Sequence, residues 1–112
     1  MSLANIIKDD FLQYFDSHEV IDAQANVVQY SLKAPDGFIH TVYIDPRTHL
    51  VSLSVASSSG YGMNAVLHNI TNIRCEKTDQ IVKFYFYQGA RPEPIAEFMV
   101  EPSIFVTVEV QS

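Results

Sequence analysis

Four histidines, His18, His40, His49 and His68, are the side chains best suited to acid–base or metal chemistry, because imidazole titrates near neutrality and ligates transition metals. Their spacing supplies no H-x-H, H-x3-H or H-x4-H pair. His18-Glu19-Val20-Ile21-Asp22 comes near H-E-x-x-H, but aspartate stands where the second ligand is needed. The segment also lies where the first helix is expected to end, so neither a metal nor another cofactor is expected. His40 is different. Phe38 and Val42 flank it at i±2, which puts it on the apolar face of an expected strand. A histidine there either orients a ligand inside a pocket or is a hydrogen-bonded core residue, and the second is the commoner outcome.

The nucleophiles are no better placed. No G-x-S-x-G elbow occurs, and Ser57-Ser58-Ser59 runs into Gly60 as a loop. Cys75 lies among Arg74, Glu76 and Lys77, a setting able to lower a thiol pKa. A lone cysteine with no histidine near it in sequence is more often a small half-buried hydrophobe. Gly60-Tyr61-Gly62 is too short to cradle a phosphate, and Asp9-Asp10 sits on a solvated helix face. Asn69-Ile70-Thr71 is formally a glycosylation sequon. No secretory leader is read at the N-terminus, so an unmodified sequon and a cytoplasmic location are expected. No catalytic residue is assigned, and an enzyme is the less favoured reading.

The segment Ile81-Val82-Lys83-Phe84-Tyr85-Phe86-Tyr87 is the most distinctive. As a strand it sends Phe84 and Phe86 to one face and Ile81, Lys83, Tyr85 and Tyr87 to the other. Apolar on both faces, it belongs inside a sheet, since at an edge it would invite aggregation. Aromatic sheet faces can stack nucleobases, but the glycine-containing pattern of RNA-recognition strands is missing. Tyr43, Tyr85 and Tyr87 remain suited to a protein interface or a ligand cup, with ordinary solvated tyrosines as the plain reading.

Those side chains need elements to hold them. Leu3, Ile6, Ile7, Phe11, Tyr14 and Phe15 recur at three and four residues, which predicts an amphipathic helix over 3–18. From Val27 the period becomes two. Val28, Tyr30 and Leu32 lead into a turn at Pro35-Asp36-Gly37. Phe38, His40, Val42 and Ile44 then form one face of a second strand, with Ile39, Thr41 and Tyr43 opposite. Asp45-Pro46-Arg47-Thr48 turns the chain into a third strand over 50–55. Turns this short require antiparallel neighbours, so a three-strand meander is expected. Residues 63–76 are ambiguous between a helix and a strand pairing with 81–88, with a lean to the strand. Further strands are expected over 95–100 and 104–110. Val27-Val28-Gln29-Tyr30 aligns with Ile81-Val82-Lys83-Phe84 and Asp45-Pro46 with Glu101-Pro102, which leaves a duplicated meander open beside chance similarity.

The chain has 112 residues, 47% hydrophobic and 18% charged, with a net charge of −6 and one cysteine. That composition fits one globular domain over 1–112 and excludes a disordered tail. The acidic balance opposes phosphate and anionic lipid, so neither nucleic acid nor membrane is expected as a partner. The charge is banded at −4, +2 and −4 over residues 1–26, 27–92 and 93–112. The expected fold is α+β, with the N-terminal helix packed on a curved antiparallel sheet of six to seven strands. The expected function is a non-catalytic protein-interaction module, a homo-oligomer or the partner of another protein. Its contact would be a tyrosine-rich sheet face carrying Ile39, Tyr43, Ile81, Tyr85 and Tyr87. The alternative is a small-molecule-binding protein or minor enzyme, its pocket between helix and sheet and lined by His40, Tyr14 and Tyr30.

Overall fold

The computed structural model describes residues 3–60 and 62–109, with side chains from Asp9 onward. One helix, α1 (Leu3–Tyr14), precedes nine strands: β1 (Ser17–Asp22), β2 (Val27–Lys33), β3 (Ile39–Asp45), β4 (Leu50–Ala56), β5 (Gly62–Leu67), β6 (Ile70–Lys77), β7 (Val82–Gln88), β8 (Ala96–Glu101) and β9 (Phe105–Val108). All pairing is antiparallel between consecutive strands, in two separate sheets ordered β1-β2-β3-β4-β5 and β6-β7-β8-β9. The expected single sheet of six to seven strands is therefore two sheets, of five and four strands.

The division falls inside the ambiguous segment. Residues 63–76 contain no helix; they break at His68-Asn69 into β5, which ends the first sheet, and β6, which begins the second. Asn69 takes φ 57°, a conformation asparagine tolerates better than β-branched neighbours do. Backbone bonds tie this corner to both sheets. Ile70 N donates to His49 O at 2.8 Å, and Gly89 N donates to Asn69 O at 3.0 Å. The strands override the helical spacing of Val66, Ile70 and Ile73, whose β-branched side chains suit the pleated surface they form.

The helix is also shorter than expected. It stops at Tyr14, and Ser17–Asp22 becomes a strand. Asp16 effects the change: its N–H donates to Ser31 O at 2.9 Å, and its carboxylate accepts from Lys33 N at 2.7 Å. The near-zinc-motif residues His18 and Asp22 therefore lie on an extended chain, where a four-residue spacing does not make a helical ligand pair.

The turns follow sequence chemistry. Gly37 takes φ 90° after Pro35-Asp36, and Phe38 N donates to the Asp36 carboxylate at 3.0 Å. Asp45 closes the next turn by accepting from Arg47 Nε and Nη2, each at 3.1 Å. Those bonds hold the Asp45 carboxyl below its ordinary range.

The inner faces of both sheets share one core. Val28, Tyr30, Val42, Ile44, Val51 and Leu53 come from the first sheet, and Ile73, Phe84, Phe86 and Phe98 from the second. Phe11 of α1 is the keystone. Its ring stacks on Tyr30 at 4.6 Å and on Phe84 at 4.3 Å, so one helical side chain bridges the two sheets. The aromatic strand, now β7, does lie inside its sheet, between β6 and β8. The second sheet, absent from the expected fold, is what covers the apolar face that one helix could not. In the half-to-half alignment, β2-β3-β4 lie over β7-β8-β9.

Candidate functional site

The residues singled out from sequence do not converge. His40 and Tyr30 share the inner face of adjacent strands, His40 opposite Leu32 and Tyr30 opposite Val42. Tyr30 is 1% exposed, with its ring against Phe11 and Phe15. Burial, reinforced by Asp9, pushes its phenol above the ordinary range. Tyr14 ends the helix beneath the Lys77 ammonium, 5.4 Å from its ring centre. Ile39 and Tyr43 are on the outer face of the five-stranded sheet, while Tyr85 and Tyr87 are on the outer face of the four-stranded one, with Ile81 just before β7. Because the inner faces meet in one core, these outer faces point away from each other, and no single flat surface gathers all five. Tyr85 and Tyr87 are also engaged already: the Arg74 guanidinium lies 4.7 Å over Tyr85, and its Nε donates to Tyr87 Oη at 3.2 Å.

His40 is buried, its ring edge-on to Phe98 at 5.8 Å, and its Nδ1 has no hydrogen-bond partner. Burial pulls its pKa down, only partly opposed by Asp36, so the ring is neutral at pH 7. Cys75 packs half-buried against the core; burial and Asp10 push its thiol up to about 11, against the pull of Lys77. A thiol held that high has little thiolate at neutral pH. Among the described residues no group of three or more His, Cys, Asp or Glu is arranged to hold a metal.

What distinguishes one place in the molecule is the treatment of sheet edges. Two open sheets have four edge strands: β1, β5, β6 and β9. An edge displays unpaired N–H and C=O groups, and proteins blunt it with charges, proline, bulges or a covering element. β6 carries a bulge between Ile70 and Asn72, the charges of Arg74, Glu76 and Lys77, and the helix α1 against it. Lys77 anchors that cover by donating to Asp10 at 2.6 Å and to Gln13 at 3.2 Å. β1 has a bulge between Val20 and Asp22 and carries Glu19 and Asp22. β9 has only four residues and leads into Glu109, whose carboxylate accepts from Arg91 at 2.7 Å.

β5 has none of these devices. Its six residues, Gly-Met-Asn-Ala-Val-Leu, include no charge and no proline, and its register with β4 is unbroken from Ala56↔Gly62 to Val51↔Leu67. Gly62 seats the strand tightly, since a Cβ there would lie 2.8 Å from Val55 O. Beside β5 runs an apolar groove of about 450 Å³, walled by Leu53, Val55, Met63 and Ala65 on one side and Val106 and Val108 on the other. A further hollow of about 300 Å³ continues it past Leu67 and His68 toward Ile95 and Glu109. Met63 in the groove wall is 81% exposed, and Val66 in the wall of the second hollow 46%. His40 stands one strand in from this wall, since its register partner Val55 lines the groove.

This arrangement places the edge of a sheet beside apolar hollows. Sequence reasoning missed β5 as an edge, although a signal was present: residues 48–73 contain no Asp, Glu, Lys or Arg. Comparison with protein families, with curated proteins and with solved structures finds no match to this chain.

Proposed function

We propose that this protein is a non-catalytic protein-interaction module that docks a polypeptide by strand addition at β5. The observation that carries this reading is the contrast among the four edges: three are blunted, and the uncharged, unbulged one borders an apolar groove. Strand addition takes affinity from main-chain hydrogen bonds and specificity from hollows for alternate side chains, and the β5 margin offers both. The tyrosine face enters only as a flanking surface, because its members are split between opposed faces. The volume of the groove also suits a small apolar ligand, so the pocket reading moves from the helix side to this margin.

The test is a library of extended peptides displayed against the protein and its Val66→Lys variant. Val66 is half-exposed, so the fold tolerates lysine, while a charge on the edge discourages pairing. Peptides that bind the wild type and are lost in the variant are the expected result. Wild-type binding that Val66→Lys leaves unchanged, or no binding beside uptake of a small apolar molecule, would remove the reading.

A further inference from the structure

Resting on that reading, we infer that the strand added to β5 is the β5 of a second copy, paired antiparallel about Ala65 to give a closed two-fold dimer. Charge is the first argument. The chain carries −6, so most surfaces of two copies repel, but residues 48–73 hold no charged side chain and can meet without opposing like charges. That same neutrality leaves the edge with nothing to select a charged foreign segment. The nearest rim carboxylate, Glu109, is already bound to Arg91.

Closure is the second argument. A sheet with two open edges that self-pairs grows without limit, whereas one with a single open edge stops at two copies. Pairing through β5 leaves β1 at both ends of the joined sheet, where the bulge at Val20/Asp22 and the charges of Glu19 and Asp22 prevent further addition. The edge is also self-complementary. With Ala65 on the axis, Met63 of one copy faces Leu67 of the other, and Asn64 faces Val66. The exposed Met63 and Val66 are then covered, and the smallest side chain of the central five lies where the two strands are related by the axis.

Sedimentation equilibrium and cysteine cross-linking test this together. The wild-type protein should be a dimer at micromolar concentration, and Val66→Lys should weaken association by about tenfold or more at unchanged thermal stability. In a Cys75→Ser background, Ala65→Cys should form a disulfide-linked dimer under mild oxidation. Asn64→Cys alone should not, but it should link to Val66→Cys when the two variants are mixed, because the register brings those positions together. A dimer that Val66→Lys and the cysteine register leave unaffected forms elsewhere and overturns the inference. A monomer whose β5 still binds library peptides in a Val66-dependent way overturns it too, while strand addition itself survives. A monomer with no such binding removes both.

Discussion

The side of the molecule where β6 meets α1 and the side where β5 faces β9 pose the same physical problem, the margin of a sheet, and they are finished differently. At β6 a helix lies over the edge, Lys77 ties it down through Asp10, and Phe11 enters between the sheets to stack on Tyr30 and Phe84. At β5 the margin ends in an apolar groove with Met63 and Val66 exposed. The first side is built from long-range packing that stabilises the fold. The second contributes Leu67 to the core and otherwise leaves its margin uncovered. The contrast also holds within one sheet, where β1 is charged and bulged and β5 is neither.

The largest expected effect is on the closed side. Phe11→Ala removes a fully buried ring from between the sheets and should cost about 3–5 kcal/mol, read as a shifted denaturant midpoint. A loss under about 1 kcal/mol would mean that α1 is not the element joining the sheets. Next is the matched pair Val20→Lys and Val66→Lys, on β1 and β5. Both residues are about half exposed, so both variants should keep their stability within about 0.5 kcal/mol. Only Val66→Lys should change association, and equal behaviour of the two would erase the distinction between the edges.

A smaller effect concerns pH. The pKa of His40 in the folded chain is below its ordinary value of 6.5, so the unfolded chain takes up the proton more readily. Stability should be full above that value and fall as pH drops below it, and His40→Leu should flatten the slope in thermal melts between pH 7 and 5. A slope unchanged by the substitution would mean that another group sets it. The smallest is at Cys75, whose raised pKa predicts slow reaction with a thiol reagent at pH 7.5 in the folded protein and fast reaction once it is denatured. Rapid labelling of the native protein would show that the side beneath α1 opens readily.

Much of the local structure was legible because it depends on local causes. The alternation of Val28, Tyr30 and Leu32, the turn at Pro35-Asp36-Gly37 and the placement of Phe84 and Phe86 on one face follow from strand period and turn chemistry, and the structure keeps each of them. The errors came where two local signals competed. Phe15 extends a helical pattern that the sheet overrides through Asp16, and Val66, Ile70 and Ile73 combine helical spacing with β-branched side chains. The alternation about His40 puts it on the inward face where it is buried, but sequence spacing offers no means of showing that Phe98, from the other sheet, is its neighbour.

By itself the amino-acid sequence determined the antiparallel meanders, an apolar content too great for one helix to cover, and an uncharged stretch over residues 48–73. Only the tertiary structure decided that this content divides into two sheets, that Phe11 joins them, and that the uncharged stretch supplies an edge. The reason is that strand period and turn propensity act over a few residues. Which strand ends a sheet is set by contacts between residues far apart in the chain, such as Ile70 with His49 at the corner where β5 gives way to β6.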